Sequence, residues 1–361
     1  MRIGIVTQPL ANNYGGLLQN FALQRILKEM GHDVKTIDFV LKKVTFKGVF
    51  FYLLSTIKSS LLYIIPNKRR KFVTYNVGTR RLEKTKVFID NHIELTKRVT
   101  SYKTRIVRDY SFDAVIVGSD QVWRGCYNTE LENMFLKFVP DDVKKIAYAA
   151  SFGVGDWRFS QKITDECAQF AKRLSHIGVR EESGVNLCLE YLGASARWVL
   201  DPTMLVSIDV YRQLIKDVPV ERNYLLSYVL DMTDEKIEMI DKIACKKGLY
   251  VKKYSANKDA VLTVEEWISI IANASFVITD SFHGSVFSIL FHREFRTVVN
   301  EERGTDRFIS LLSLLGLTDR ILSVDNIDVS LEPIDWDKVD KLLEKKKNFS
   351  YNYLLEALCR K

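Results

Sequence analysis

No two cysteines in this 361-residue chain form a CxxC pair, and their total, five, is odd. Cys126, Cys167, Cys188, Cys245 and Cys359 are too scattered for a disulfide framework or a cysteine zinc site, and a reducing cytoplasm suits them. Histidine is as scarce, and no His/Asp/Glu cluster stands at metal-ligand spacing, so no obligatory metal is expected. There is neither a GxGxxG dinucleotide fingerprint nor a P-loop with its Lys and Ser/Thr. No uninterrupted apolar run reaches the roughly 20 residues of a spanning helix. Internal repeats and low-complexity tracts are missing too. The opening Met1–Pro9 breaks at Gln8 and Pro9, which reads as a first strand and not as a secretory leader.

What is present is ordinary globular composition: 47% hydrophobic, 27% charged and 11% aromatic residues, excluding a disordered tail, a collagen-like fibre or a coiled coil. At roughly 150 residues per domain the length favours two domains. The net charge of +8 is uneven. Residues 41–110 hold 17 basic and 4 acidic side chains, or +13, which leaves −5 for the rest. Such a pattern suits one patch facing an anionic surface or ligand, and with no recognised reading module nucleic acid is not an expected partner.

Ile3–Val6, the glycine-bearing loop 12–16, the helix-period run Leu23, Ile26, Leu27, Met30 and the strand Val34–Phe39 predict a βαβ start with parallel strands. Buried strands are predicted at Ala114–Val117, Ile146–Ala149, His176–Val179 and Trp198–Leu200. The alternation restarts beyond Pro202–Pro219 with Tyr224–Leu230, helix Glu235–Lys246 and strands Tyr250–Tyr254, Phe276–Thr279 and Arg296–Val299. We therefore expect an N-terminal domain over 1–202, with a basic helical insertion at about 41–110, and a second over 203–335. The amphipathic stretches at Trp336–Leu343 and Tyr351–Leu358, within 336–361, are expected to return to the first domain. In the insertion, the apolar face from Phe50 to Ile65 beside Lys68-Arg69-Arg70-Lys71 suits either a helix packed on its own domain or an interfacial helix on anionic lipid, which makes 49–71 a candidate membrane contact.

Three strand-end segments carry chemistry. Asn12-Asn13-Tyr14-Gly15-Gly16 precedes a helix whose free N–H groups favour an anion, and glycine lets the backbone approach a ligand. In Asp280-Ser281-Phe282-His283-Gly284, His283 occupies a strand-to-helix turn where α/β proteins place ligands, and imidazole suits proton transfer. His32, His92, His176 and His292 read as structural. Arg180, in Gly178-Val179-Arg180-Glu181-Glu182-Ser183, offers a planar fork for phosphate or carboxylate, unless a salt bridge to Glu181, Glu182 or another acid occupies it. Gly118-Ser119-Asp120-Gln121 and Ala149-Ala150-Ser151-Phe152-Gly153 add small polar groups suited to a sugar.

These blocks in this order, with Asp201-Pro202-Thr203 between them, resemble the polysaccharide pyruvyl transferase family over most of the chain outside 41–110. The resemblance implies an α/β fold of two Rossmann-like domains facing a cleft, similar to GT-B glycosyltransferases. The implied reaction moves the pyruvyl group of phosphoenolpyruvate onto a sugar as a cyclic ketal, in surface-polysaccharide assembly. Arg180 and His283 match the catalytic cation and acid by type; Arg180, Ser281, Phe282, His283, Gly284 and Arg307 form the implied donor site. Asn13, Tyr14, Gly15, Gly16, Ser119, Asp120, Gln121 and Ser151 are the expected acceptor or cleft-lining residues, with Asp120 or Asp280 as the base. Many relatives carry Arg where this chain has Ser281, so a donor cation is either missing or supplied from elsewhere, with Arg303 and Arg307 as the candidates. The resemblance further implies phosphoenolpyruvate as substrate with no obligatory cofactor, and a galactose-containing saccharide acceptor, either free or linked to a lipid diphosphate at the inner face of the cytoplasmic membrane. Two other readings remain: a nucleotide-sugar-dependent glycosyltransferase, and a non-catalytic membrane-associated saccharide-binding subunit.

Overall fold

The computed structural model describes residues 1–40, 75–127, 130–254, 262–299, 304–322 and 332–359. The 49–71 stretch and Arg303 lie outside the described residues.

The first sheet is built from β1 (Arg2–Val6), β2 (Asp33–Thr36), β3 (Ala114–Val117), β4 (Lys144–Ala150), β5 (His176–Val179) and β6 (Arg197–Trp198), in the order β2-β1-β3-β4-β5-β6. The second contains β7 (Tyr224–Tyr228), β8 (Tyr250–Tyr254), β9 (Phe276–Thr279), β10 (Phe295–Val298) and β11 (Ile321–Leu322), in the order β11-β10-β9-β7-β8. Every strand pairing in both sheets is parallel. The central strands β3 and β9 are buried along their whole length, which is why they read as unbroken apolar runs.

The helices between them are α1 (Tyr14–Glu29), α2 (Tyr75–His92), α3 (Thr104–Asp109), α4 (Gln161–Ala171), α5 (Ser183–Leu192), α6 (Ile208–Leu214), α7 (Asp234–Lys247), α8 (Val264–Ala272), α9 (Phe282–Leu290), α10 (Asp306–Leu314) and α11 (Trp336–Leu358). The two apolar stretches near the C-terminus are one helix of 23 residues, because the polar segment between them continues the turn without a breaker. That helix lies on the first sheet: the Tyr353 hydroxyl donates to the Ala147 carbonyl at 2.9 Å, and Ser350 Oγ accepts from Leu200 N at 3.0 Å. The short β11 was not legible in the sequence, since two residues carry no periodicity.

One apolar cluster crosses between the sheets through Tyr14, Leu17, Tyr211, Trp267 and Phe287. Tyr14 stacks on Trp267, ring centroids 5.5 Å apart, and its hydroxyl donates to the Leu262 carbonyl at 2.8 Å, so the start of α1 is fastened to α8. A Thr263/Glu266 capping box fixes where α8 begins. No described helix is long and apolar enough to cross a membrane.

Candidate functional site

In an open parallel sheet, neighbouring crossovers that run to opposite faces leave a crevice beyond the strands' carboxyl ends. The order β2-β1-β3 puts that point between β1 and β3, ahead of residues 7–16 and 118–121; in the second sheet it lies between β7 and β9, ahead of 229–231 and 280–284. The two crevices share one cleft of about 570 Å³, lined by Asn13, Tyr14, Gly15, Asp120 and Gln121 from one side and Asp280, Ser281, Phe282, His283 and Arg307 from the other. Gln8, Tyr127 and Tyr228 complete its wall.

Two helix starts meet there. Asn13 occupies the N-cap of α1 without a side-chain capping bond, and its Nδ2 donates to Asp120 Oδ2 at 3.1 Å. Ser281 caps α9, its Oγ accepting from Gly284 N at 3.3 Å. Gly284 admits no side chain, since a Cβ would lie 2.4 Å from Thr279 Oγ1. His283 therefore stands in the first turn of α9, and its ring rests against the start of α1. A Cβ on Gly15 would fall 2.0 Å from His283 Nδ1. That contact explains the glycine better than backbone freedom does.

Behind the cleft lies a buried charge cluster. Arg180, from the end of β5, is 4% exposed and does not line the cleft. Its Nη1 donates to Asp201 Oδ2 at 3.0 Å, Nη2 is 3.9 Å from Asp120 Oδ1, and its guanidinium lies 4.7 Å from the centre of the Phe282 ring. Arg307 stands 5.6 Å from the same ring, so two cations bracket Phe282. Burial, then the charge of Arg180, lowers the Arg307 pKa to about 10, which still leaves it cationic at neutral pH. Asp201 accepts from Ser119 Oγ at 3.0 Å and from Thr203 N and Oγ1 at 3.0 and 2.7 Å, and its Oδ2 is 3.5 Å from His283 Nε2. Burial pushes this carboxyl up, but His283 and Arg180, with the hydrogen bonds, hold it well below the usual carboxylate range.

Several expected positions are placed differently. Gly16, Ser119 and Ser151 are buried beneath the cleft instead of lining it. Ser119 N donates to Gln19 Oε1 at 2.8 Å while its hydroxyl serves Asp201, and Ser151 Oγ donates to Glu181 Oε1 at 2.9 Å. Glu181 gathers the loop 151–153, accepting also from Phe152 N and Gly153 N at 2.6 and 2.9 Å; burial raises its pKa against those bonds. Gly284 is likewise buried and does not line the cleft. Asp280 faces the cleft, but its oxygens accept from Leu230 N at 2.6 Å, Asp231 N at 3.1 Å and Lys236 Nζ at 3.4 Å. Asp120 Oδ1 accepts from Gln121 N at 2.8 Å. Asp201 is the residue of the site that the sequence does not single out: Pro202 after an aspartate signals an N-cap, which Asp201 is, and nothing local points to His283.

The family model for polysaccharide pyruvyl transferase matches residues 13–302, most of the chain, from the start of α1 through α9 and β10. The chain belongs to this family. No curated protein matches it in sequence. Among solved structures, the UDP-GlcNAc 2-epimerase from Neisseria meningitidis bound to UDP-GlcNAc is 10% identical, with 99% of each chain covered and a TM-score of 0.51. The Methanocaldococcus jannaschii UDP-GlcNAc 2-epimerase in complex with UDP-GlcNAc and UDP is 14% identical over 99% of each chain, with a TM-score of 0.48. At such identities the likeness concerns fold, and the first of them agrees with a two-domain, GT-B-like α/β architecture. In this pyruvyl transferase family member, Arg180, Asp201 and His283 form a charge cluster at the junction of the two halves.

Proposed function

We propose that this family member transfers the pyruvyl group of phosphoenolpyruvate to two hydroxyls of one sugar, galactose at O4 and O6, releasing inorganic phosphate. The observation that carries the reading is the meeting of two helix starts, α1 and α9, with His283 and Arg307 on one cleft. Helix N-termini favour anions, and phosphoenolpyruvate brings a phosphate and a carboxylate to be held. Arg180 adds positive potential from behind Phe282 without lining the cleft. No metal or cofactor enters the reaction as proposed.

His283 as imidazolium donates a proton to the methylene carbon, leaving an oxocarbenium-like centre at C2. A sugar hydroxyl adds there and gives up its proton. The bond from C2 to the phosphate oxygen then breaks, and the second hydroxyl closes the ketal. Of the two hydroxyl protons, one balances the new methyl group and the other leaves with phosphate. Asp120 is the less engaged of the two candidate bases, accepting from Gln121 N and Asn13 Nδ2, whereas Asp280 accepts from two backbone N–H groups and Lys236. The acceptor we propose is a lipid-diphosphate-linked precursor of a surface polysaccharide, met at the inner face of the cytoplasmic membrane.

The test is phosphate release from phosphoenolpyruvate with lipid-linked and simple aryl galactosides, with mass spectrometry of the saccharide. A ketal formed by the parent and reduced about 10²- to 10⁴-fold in His283→Ala supports the reading, that being the usual worth of a general acid. Consumption of a sugar nucleotide with no ketal from any acceptor would overturn it.

A further inference from the structure

We infer that Asp201 is a positioning residue that holds the His283 Nε2–H, leaving Nδ1 as the nitrogen that exchanges a proton in the cleft. The inference rests on the reading of His283 as proton donor, and it begins from an imbalance in the hydrogen bonds. His283 Nε2 is buried and makes no hydrogen bond to the protein, while Asp201 Oδ2 stands 3.5 Å away. A buried N–H requires an acceptor, and a carboxylate is the strongest one available.

The rest of the cluster keeps Asp201 ionised and in place. Thr203 occupies Oδ1 through its N–H and hydroxyl, and Ser119 and Arg180 approach Oδ2 at 3.0 Å each. Ser119 and Arg180 follow β3 and β5 of the first sheet, whereas His283 belongs to α9 beyond β9 of the second, so the carboxylate sets the ring across the junction. On the opposite edge of the ring, Nδ1 lies over Gly15 at the start of α1. That is the edge where the helix start would hold an anion. One ring nitrogen is therefore directed to the protein and the other to the cleft, and a carboxylate at Nε2 selects the tautomer.

The first experiment uses the parent protein and needs no turnover. With ¹⁵N-labelled histidine, and His283→Gln to assign the signal, the neutral ring in alkaline buffer should show its proton on Nε2. A proton on Nδ1 would overturn the inference, whether or not the protein forms a ketal. The second experiment is Asp201→Asn, which keeps the shape and one acceptor for Arg180. Mixed tautomers are expected, with kcat for ketal formation falling about 10²-fold, the lower end for a misdirected general acid, and KM for phosphoenolpyruvate changing less than about threefold. An unchanged tautomer, or a loss confined to KM, would refute the role. Absence of ketal formation in the parent, with Nε2–H present, would instead count against the proposed reaction alone.

Discussion

Placing a methyl group on Gly15 tests the junction most directly. The Cβ of Gly15→Ala would lie 2.0, 2.4 and 2.7 Å from Nδ1, Cγ and Cε1 of His283, so the ring must move by roughly 1.5 Å to regain contact near 3.5 Å. Helix α1 itself gains, because alanine is better than glycine in a helix by about 1 kcal/mol. Displacing a packed ring costs about 1–3 kcal/mol, so the net loss of folding stability stays below about 2 kcal/mol. Activity behaves differently: a misplacement of about 1 Å costs about 10²-fold in rate, so ketal formation should fall at least that far while the protein stays folded. In the His283→Ala background the same methyl meets no ring and should stabilise by up to about 1 kcal/mol, a reversal of sign that a urea-denaturation double-mutant cycle detects. Gly16→Ala provides the graded comparison, because its Cβ would meet Asn13 Nδ2 at 3.0 Å and Asp120 Oδ2 at 3.3 Å, a much smaller overlap. Wild-type kcat in Gly15→Ala, or no change of sign in the cycle, would refute the reasoning.

Asp201→Ala leaves Arg180 buried without its carboxylate and should cost about 3–5 kcal/mol at neutral pH by urea denaturation. Since folding depresses the Asp201 pKa, that deficit is full above the unfolded value of about 3.9 and shrinks as pH falls toward the folded one. For Glu181, raised by burial, the sign is opposite: its penalty is absent below about 4.3 and appears as pH rises, so Glu181→Gln should gain stability relative to the parent from pH 4 to 7. Phe282→Ala removes a buried ring bracketed by two guanidinium groups and should lose about 3–5 kcal/mol in chemical denaturation. Gly304→Ala meets both a φ of +90° and the Gly153 carbonyl at 1.5 Å; it should push the chain ahead of α10 outward, carrying Arg307 with it, and raise KM for phosphoenolpyruvate.

Much of this protein was legible from residue order. Apolar runs such as Ala114–Val117 and Phe276–Thr279 mark buried parallel strands because both faces of such strands are covered. Polar and glycine-bearing segments after them mark the carboxyl edge, where Asn13, Asp120, Ser281 and His283 are found lining the cleft. Strand and helix signals are local, with periods of two and 3.6 residues, and a linear sequence carries them whole. Direction was not legible. Arg180 precedes two glutamates, yet it pairs with Asp201, because Glu181 is turned to the N–H groups of 152 and 153. Ser119 and Ser151 sit in sugar-like loops, yet their hydroxyls point inward to Asp201 and Glu181. The sequence alone determined which residues reach the strand ends; the tertiary structure decided which of them face the cleft and which face each other. Asp201 and His283 are 82 positions apart, one following the last strand of the first sheet and the other following β9 of the second, and only the packing of α1 against α8 and α9 brings a carboxylate, an imidazole and a glycine to one point.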